Sequence, residues 1–188
     1  MQLFTQKNQL MHRYPLLTLL GQHRPTDPTE QAMTQDTIAF VEANPACFER
    51  SLLIGHVTGS AWIVSPDRQK TVLIHHRKLD RWFQPGGHAD GDPAIAGVAF
   101  REAEEETGLK SLQFVHPEIF DIDVHLIPAR GDVPEHLHYD IRFLLEADPD
   151  EPFVLTDEVN AVRWLSMDEV SQVTDSESIL RMVRKSDN

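Results

Sequence analysis

The amino-acid sequence predicts an α/β domain that follows an N-terminal helical extension. Residues 1–50 contain few β-branched runs and are typical of helices. From His56 onward the pattern changes, because Val57–Val64 and Thr71–His75 are strand-like and are separated by turn residues. A helix-like acidic segment and two further alternating strands follow. We therefore expect a helical extension over residues 1–50 and one α/β domain over residues 51–188 that starts with a hairpin.

The predicted helices begin and end at residues that are common at helix termini. Asp27, followed by a proline, marks the start of a helix in the extension, and Asp92 followed by Pro93 marks the start of the acidic helix. Glycines just before Asp92 predict an irregular loop. Gly108 is expected to end the acidic helix, since glycine readily adopts the left-handed conformation found at this position. Ser166 is expected to cap a short helix that follows it.

Composition limits the classes of function that fit this chain. The chain has 188 residues, 40% of them apolar, and a formal net charge of −13. It lacks a run of about 18 apolar residues, the length that spans a membrane, and its charge disfavours binding to a nucleic-acid duplex. We therefore expect a cytoplasmic protein. The negative charge does not exclude a small anionic substrate, because bound divalent cations can invert the local potential around a cluster of carboxylates. The single cysteine, Cys47, excludes an internal disulfide and is expected to be a buried, inert thiol.

Three glutamates of the acidic helix share one face. Glu102, Glu105 and Glu106 are spaced i, i+3 and i+4, so their carboxylates project from the same side of the helix. Such a cluster suits magnesium, which prefers carboxylate oxygens, water and phosphate oxygens as ligands. The spacing alone equally fits a solvated helix whose glutamates interact with nearby cations. Both interpretations stand at this point.

Two later segments, Phe120–Leu126 and His136–Leu145, alternate in polarity and predict an antiparallel hairpin with one polar face. That face either points to solvent or lines a cavity in which its side chains contact substrate phosphates or a second metal ion. Histidines and aspartates predominate there instead of lysine, glutamate and threonine, which favours the cavity. Together with a histidine from the glycine loop, the predicted substrate-binding residues are His88, His125, His136, His138, Asp140 and Arg142.

The sequence around the acidic helix resembles the Nudix box. Gly87 is followed, after thirteen residues, by Arg101-Glu-Ala-Glu-Glu-Glu-Thr-Gly-Leu109. This is similar to the family pattern G-x5-E-x7-R-E-U-x-E-E-x-G-U, in which U is a bulky aliphatic residue. The flanking Gln-Pro-Gly-Gly and Trp-Leu-Ser-Met-Asp-Glu segments agree, so the resemblance covers roughly residues 55–175. One position departs from the pattern, because Pro93 stands where the family has its first glutamate, and Asp92 is the nearest acid.

The resemblance implies both a fold and a metal-dependent reaction. The Nudix fold is an α/β/α sandwich around a mixed sheet, and its box holds magnesium or manganese. The implied metal ligands are three carboxylates and a backbone carbonyl, from Glu102, Glu105, Glu106 and Gly86. Arg101 would orient a carboxylate through a charge-assisted hydrogen bond, and the general base would be Glu105, with Glu158 as a second choice. The implied reaction is hydrolysis, by activated water, of a nucleoside diphosphate linked to another moiety or of a related pyrophosphate.

Two other functions remain open from the sequence. Pro93 would be explained if the domain were catalytically silent and served as a nucleotide-binding sensor. Isopentenyl diphosphate isomerase resembles this fold and uses a cysteine, but Cys47 precedes the first core strand here and the box keeps its hydrolase form, which disfavours isomerisation. The N-terminal extension would either cap the substrate pocket or form a homodimer interface. Substrate specificity is expected to depend on loops and appended segments rather than on the metal site.

Overall fold

The protein forms a seven-stranded mixed sheet with helices on both faces. The computed structural model describes residues 11–157 and 159–186. The strands are β1 Gly55–Val64, β2 Lys70–His76, β3 Arg81–Phe83, β4 Gly86–His88, β5 Gln113–Ile127, β6 His136–Glu146 and β7 Val159–Ser166. The helices are α1 Tyr14–Gln22, α2 Pro28–Ala43, α3 Ile95–Thr107, α4 Met167–Val173 and α5 Glu177–Ser186. The strand order is β3-β2-β1-β6-β5, with β4 paired to β1 and β7 paired to β2.

The pairing of β1 makes the sheet mixed. β1 runs parallel to β6, from Gly55 opposite Leu137 to Val64 opposite Glu146, and antiparallel to β2 and β4. β5 and β6 pair antiparallel. Both predicted hairpins, β1–β2 and β5–β6, are therefore confirmed, and so is the α/β fold class.

The capping residues in the sequence correctly predicted where several helices begin or end. The Asp27 carboxylate accepts a hydrogen bond from the backbone N–H of Glu30 at 2.8 Å, which fixes the start of α2. Ser166 and Glu169 form a reciprocal capping box at the start of α4. Gly108 has a φ of 75° and ends α3, as predicted.

The acidic helix α3 begins later than the sequence predicts. It starts at Ile95 with Ala94 as its N-cap, rather than at Asp92 and Pro93. The Asp92 carboxylate instead accepts a hydrogen bond from the backbone N–H of Ala94 at 2.9 Å, which forms a local turn before the helix. The predicted irregular loop is also wrong in part, because Gly86–His88 pairs with β1 as strand β4. Pro93 therefore lies outside the helix.

The two faces of the sheet carry different cores. On one face, Val57 and Ala61 of β1 pack with residues of α1, α2 and α3. Gly59 lies so close to α3 on this face that an added Cβ would be 2.9 Å from the backbone oxygen of Ile95. On the other face, Trp62 packs with residues of α4 and α5. This arrangement is the predicted α/β/α sandwich, and the second face also carries the polar residues of β5 and β6.

The N-terminal helices pack against β5 and β6. The ring of Phe40 in α2 stacks on Tyr139 in β6, with ring centroids 3.9 Å apart. The backbone N–H of Val124 in β5 lies 3.2 Å from the sulfur of Met33 in α2. These helices share a core with the sheet. The domain boundary predicted at residue 50 and the predicted homodimer stay predictions. No helix in the described part of the chain is long and apolar enough to cross a membrane.

Candidate functional site

The glycine strand β4 lies against the acidic helix α3. The carboxylate of Glu106 is buried and accepts a hydrogen bond from the backbone N–H of Gly86 at 2.9 Å. The carboxylate of Glu102 lies against Gly87, and a Cβ added at Gly87 would overlap it. Any other residue at this position would displace Glu102. The fold thus holds two of the three predicted metal-binding carboxylates beside β4.

The third glutamate and the predicted positioning arginine are at the surface of α3. Glu105 is exposed. The guanidinium of Arg101 lies 3.9 Å from an oxygen of Glu102 and 3.7 Å from an oxygen of Asp92, distances of ion pairs rather than of hydrogen bonds. Among the described residues, the ligand atoms of the three glutamates do not lie as close together as those of His56, His136 and His138. Glu158, the second predicted base, lies outside the described residues.

One end of the polar sheet face is a closed network of charges. Arg142 is 2% exposed and donates hydrogen bonds to Asp140 at 2.8 Å and to Asp121 at 3.1 Å. Arg181 of α5 donates to both carboxylate oxygens of Asp121, at 2.9 and 2.8 Å, and Lys185 lies 3.1 Å from the same carboxylate. The guanidinium of Arg142 is therefore engaged by the protein. This placement argues against its predicted role in binding a substrate phosphate.

Asp140 is also held by the protein. Its carboxylate accepts hydrogen bonds from Thr58 at 2.9 Å, Ser60 at 2.7 Å and Gln84 at 3.2 Å, in addition to the one from Arg142. These partners make a structural role more consistent with its position than the predicted contact with substrate. The alternative in which the polar face points to solvent is wrong for this end of the hairpin, whose three aspartates are at most 8% exposed.

The other end of the same face carries a cluster of histidines. Their rings surround that of His138, with centroid distances of 4.8 Å to His56, 4.9 Å to His88, 5.2 Å to His136 and 5.5 Å to His125. One ring nitrogen from each of His56, His136 and His138 lies within 4.8 Å of the others. The structure therefore brings together the four histidines that the sequence predicts as substrate-binding residues, and it adds His56.

His56 was not predicted as a site residue. It is the second residue of β1 and lies on the same side of the strand as Thr58 and Ser60, because side chains alternate along a strand. The parallel pairing places it directly beside His138 of β6. The sequence does show polar residues at every second position of β1. It does not show that β1 pairs with β6, because the two strands are far apart in the chain.

Burial leaves several histidine nitrogens without partners. Both ring nitrogens of His56 and Nε2 of His138 are buried and have no hydrogen-bond partner among the described residues. Burial, and to a lesser degree the nearby charge of Arg50, lowers the pKa of His88 to about 4. Burial, followed by the neighbouring histidines, also holds the pKa values of His56 and His138 below the ordinary value. Neutral imidazoles of this kind can ligate metal ions but do not attract phosphate by charge.

Cys47 is buried in the apolar core that the sheet shares with α1, α2 and α3. Burial raises the pKa of its thiol to about 11, so the thiol is protonated at neutral pH. The prediction of an inert thiol is consistent with this environment, and a reaction based on a cysteine is disfavoured.

A family model matches the part of the chain that forms this site, and two curated relatives each match more than half of the chain. The model of the NUDIX domain matches residues 56–185, which confirms the predicted resemblance. The bis(5'-nucleosyl)-tetraphosphatase (asymmetrical) of Rattus norvegicus is 32% identical over 107 residues, which are 56% of this chain and 66% of that protein. The CMP-5'-(N-acetyl-N-hydroxy-3-aminopropyl)phosphonate hydrolase of Streptomyces rubellomurinus is 32% identical over 124 residues, 61% of this chain and 54% of that protein. The chain thus spans less than two thirds of the length of either relative.

Solved structures share the fold at lower sequence identity. The binary complex of a C. elegans Ap4A hydrolase aligns with a TM-score of 0.55 at 17% identity and covers 69% of this chain and 93% of that chain. At this identity the likeness establishes the fold alone.

Proposed function

The chain belongs to the NUDIX family, and from this premise we propose that it is a metal-dependent hydrolase of a phosphate anhydride in which a nucleoside diphosphate is linked to another moiety. The observation that carries the proposal is the placement of two box carboxylates, those of Glu102 and Glu106, against the glycine strand β4. By their names, the two curated relatives act on a bis-nucleosyl tetraphosphate and on a CMP-linked phosphonate. Both are nucleotide compounds, which supports this class of substrate.

The residues beside β4 fit a hard divalent cation. Magnesium and manganese prefer oxygen ligands, and we assign them to the carboxylates of Glu102, Glu105 and Glu106 with a backbone carbonyl near Gly86. Gly87 supports this assignment because its lack of a side chain leaves room for the carboxylate of Glu102. When bound, such an ion polarises a phosphoryl oxygen and lowers the pKa of a bound water.

Two residues of α3 are assigned to positioning and to proton transfer, and one of them, Glu105, is also a proposed metal ligand. Glu105 is proposed as the general base, because an exposed carboxylate on the box face of the helix is accessible to the attacking water. Arg101, 3.9 Å from Glu102, would hold that carboxylate in place. Glu158 remains the second proposed base. Contact with substrate is assigned to the histidine end of the polar face, where neutral imidazoles would act by hydrogen bonding rather than by charge, since Asp140 and Arg142 are engaged by the protein.

Turnover in the presence of magnesium tests this proposal. A suitable panel contains bis(5'-nucleosyl) tetraphosphates, nucleotide sugars, nucleoside triphosphates and coenzyme A. Glu105→Gln should lower kcat by about 10²–10⁴-fold, the usual contribution of a general base. The matched control is Glu104→Gln, which removes a carboxylate from the same helix. Glu104 pairs with Lys110 at 2.7 Å, so this variant should keep nearly full activity.

Two results would count against the proposal. Full activity of Glu105→Gln would show that the base is assigned to the wrong residue. Silence of the wild-type protein across the whole panel, despite magnesium binding, would favour a nucleotide-binding sensor. Pro93, which replaces the first glutamate of the box, makes that sensor the specific alternative.

A further inference from the structure

We propose that the histidine cluster is a second metal site, which binds an imidazole-preferring ion such as Zn²⁺ through His56, His136 and His138. These three residues lie within the first three residues of two parallel neighbouring strands, β1 and β6, and on the same face of the sheet. The site is distinct in chemistry from the carboxylates of α3, which suit magnesium or manganese. The inference does not depend on which compound those carboxylates hydrolyse.

The spacing of the three histidines is close to that of a metal site. Zinc binds imidazole nitrogens at about 2.0–2.1 Å, so two ligands of one ion lie at most about 4.2 Å apart. The three ligand nitrogens in this cluster already lie within 4.8 Å of one another. Side-chain rotations that move each nitrogen by less than about 1 Å would therefore close the cluster around one ion.

One ring is already oriented for ligation. Nδ1 of His136 lies 2.9 Å from the backbone carbonyl oxygen of Pro134. A carbonyl oxygen only accepts hydrogen bonds, so Nδ1 carries the proton and Nε2 presents a lone pair. Metal-binding histidines commonly have such a hydrogen bond from the other ring nitrogen, which fixes both the tautomer and the direction of the ring.

The other two rings have nitrogens that the protein does not satisfy. His56 is 3% exposed, and neither of its ring nitrogens has a hydrogen bond of normal geometry among the described residues, although the backbone of Leu52 is close enough to raise the pKa of the ring against the effect of burial. Nε2 of His138 is likewise buried without a hydrogen bond among the described residues. Buried polar atoms without partners are uncommon in folded proteins, because they lose their hydrogen bonds to water without replacement. A metal ion bound at this point would satisfy one nitrogen of each ring.

His88 links this cluster to the acidic helix. Its ring lies 5.0 Å from that of His56 and 4.9 Å from that of His138, measured between centroids, so it is within reach as a fourth ligand. It directly follows Gly87, whose backbone approaches Glu102. An ion held by the histidines would therefore stiffen the strand that supports the box.

Zinc binding to the full-length protein tests this inference directly. Protein stripped with a chelator would be titrated with zinc chloride by calorimetry in saturating magnesium chloride, so that the carboxylates are occupied. The wild-type protein should bind one zinc ion per chain. His138→Asn and His56→Leu should each weaken zinc binding by more than about 100-fold, since even outer partners of a metal site account for 10–100-fold. Cobalt(II) should give the visible absorption of a nitrogen-ligated site in the wild-type protein but not in these variants.

Two control variants separate this site from other metal-binding groups. Glu105→Gln removes a proposed ligand of the box, and His116→Gln removes a histidine of β5 outside the cluster; both should bind zinc as the wild-type protein does. Absence of zinc binding by the wild-type protein would overturn the inference. Equal binding by His138→Asn and His56→Leu, or loss in Glu105→Gln alone, would also overturn it. Because binding is measured without turnover, a failure here is distinguishable from failure of the proposed hydrolase activity.

Discussion

The two ends of the polar sheet face are built from the same strands but differ in how well their polar atoms are satisfied. At one end, Arg142 and Asp121 have several partners each, with distances of 2.8–3.4 Å around them. At the other end, His56 and His138 are close to other histidines but have buried nitrogens without hydrogen bonds. A satisfied network of this kind stabilises the fold, whereas unsatisfied groups at a comparable depth indicate a place for a ligand.

Helix α5 explains much of this difference. Its residues Arg181 and Lys185 donate hydrogen bonds to Asp121. The guanidinium of Arg142 donates hydrogen bonds to the backbone oxygen of Ser178 at 3.4 Å and to its hydroxyl at 3.2 Å. Lys185 also pairs with Glu30 of α2 at 2.6 Å. The charged end of the face is therefore covered by α5, which also reaches Glu30 of α2, while the histidine end lies where β1 and β6 begin.

The largest effect on stability is expected from removing Arg142 from the charged end of the polar face. Arg142→Met would leave the buried carboxylate of Asp140 without its cation and take one of several cations from Asp121, and it should lower the free energy of unfolding by about 3–5 kcal/mol. Urea denaturation at pH 7 measures this. Arg130→Met, which removes an exposed arginine from the loop between β5 and β6, is the matched control and should change stability by less than about 0.5 kcal/mol. A loss of similar size in both variants would show that burial of Arg142 has no special role.

A smaller, pH-dependent effect is expected at Glu30. Burial alone would raise the pKa of this carboxyl, but hydrogen bonds from His23 and Lys185 outweigh it and hold the pKa well below the ordinary value of 4.5. A depressed pKa means that the carboxylate contributes stability above pH 4.5, and that this contribution is lost as the pH falls through the folded-state pKa. Glu30→Gln should therefore cost about 2 kcal/mol at pH 7.

The difference between wild-type protein and Glu30→Gln should shrink as the pH is lowered below about 4.5. Urea denaturation at several pH values measures this difference. Glu42→Gln, an exposed position in the same helix, should show little loss at any pH. A gap between wild-type protein and Glu30→Gln that is unchanged down to pH 3 would contradict the assigned role of the carboxylate.

The smallest effect is expected at the histidine end. His56→Leu removes two buried nitrogens that have no partner, so in the presence of a chelator its stability should stay within about 0.5 kcal/mol of the wild-type protein or rise. His23→Leu is the matched comparison. His23 is also buried, but its nitrogens contact the Ile119 carbonyl oxygen at 3.1 Å and Glu30 at 2.8 Å. That variant should lose about 2 kcal/mol, and an equal loss in both would remove the contrast between the two ends.

Local sequence features determined much of this protein. The caps at Asp27, Ser166 and Gly108, the alternation of β5 and β6, and the spacing of the box glutamates are short-range patterns, and the structure contains each of them. The start of α3 was mispredicted because Asp92 forms its own turn with Ala94, a competition between two local hydrogen bonds that sequence preference does not resolve.

The tertiary structure decided what the polar residues do. The alternation in β5 and β6 correctly predicted that Asp121 and His125 lie on one face of the sheet. It could not predict that α5 covers Asp121, or that His125 lies near the histidines of β1 and β6. Only the parallel pairing of β1 with β6 brings His56 to His138, and only the packing of α5 brings Arg181 to Asp121. Such contacts join segments far apart in the chain, whereas periodicity reports only the face on which a side chain lies.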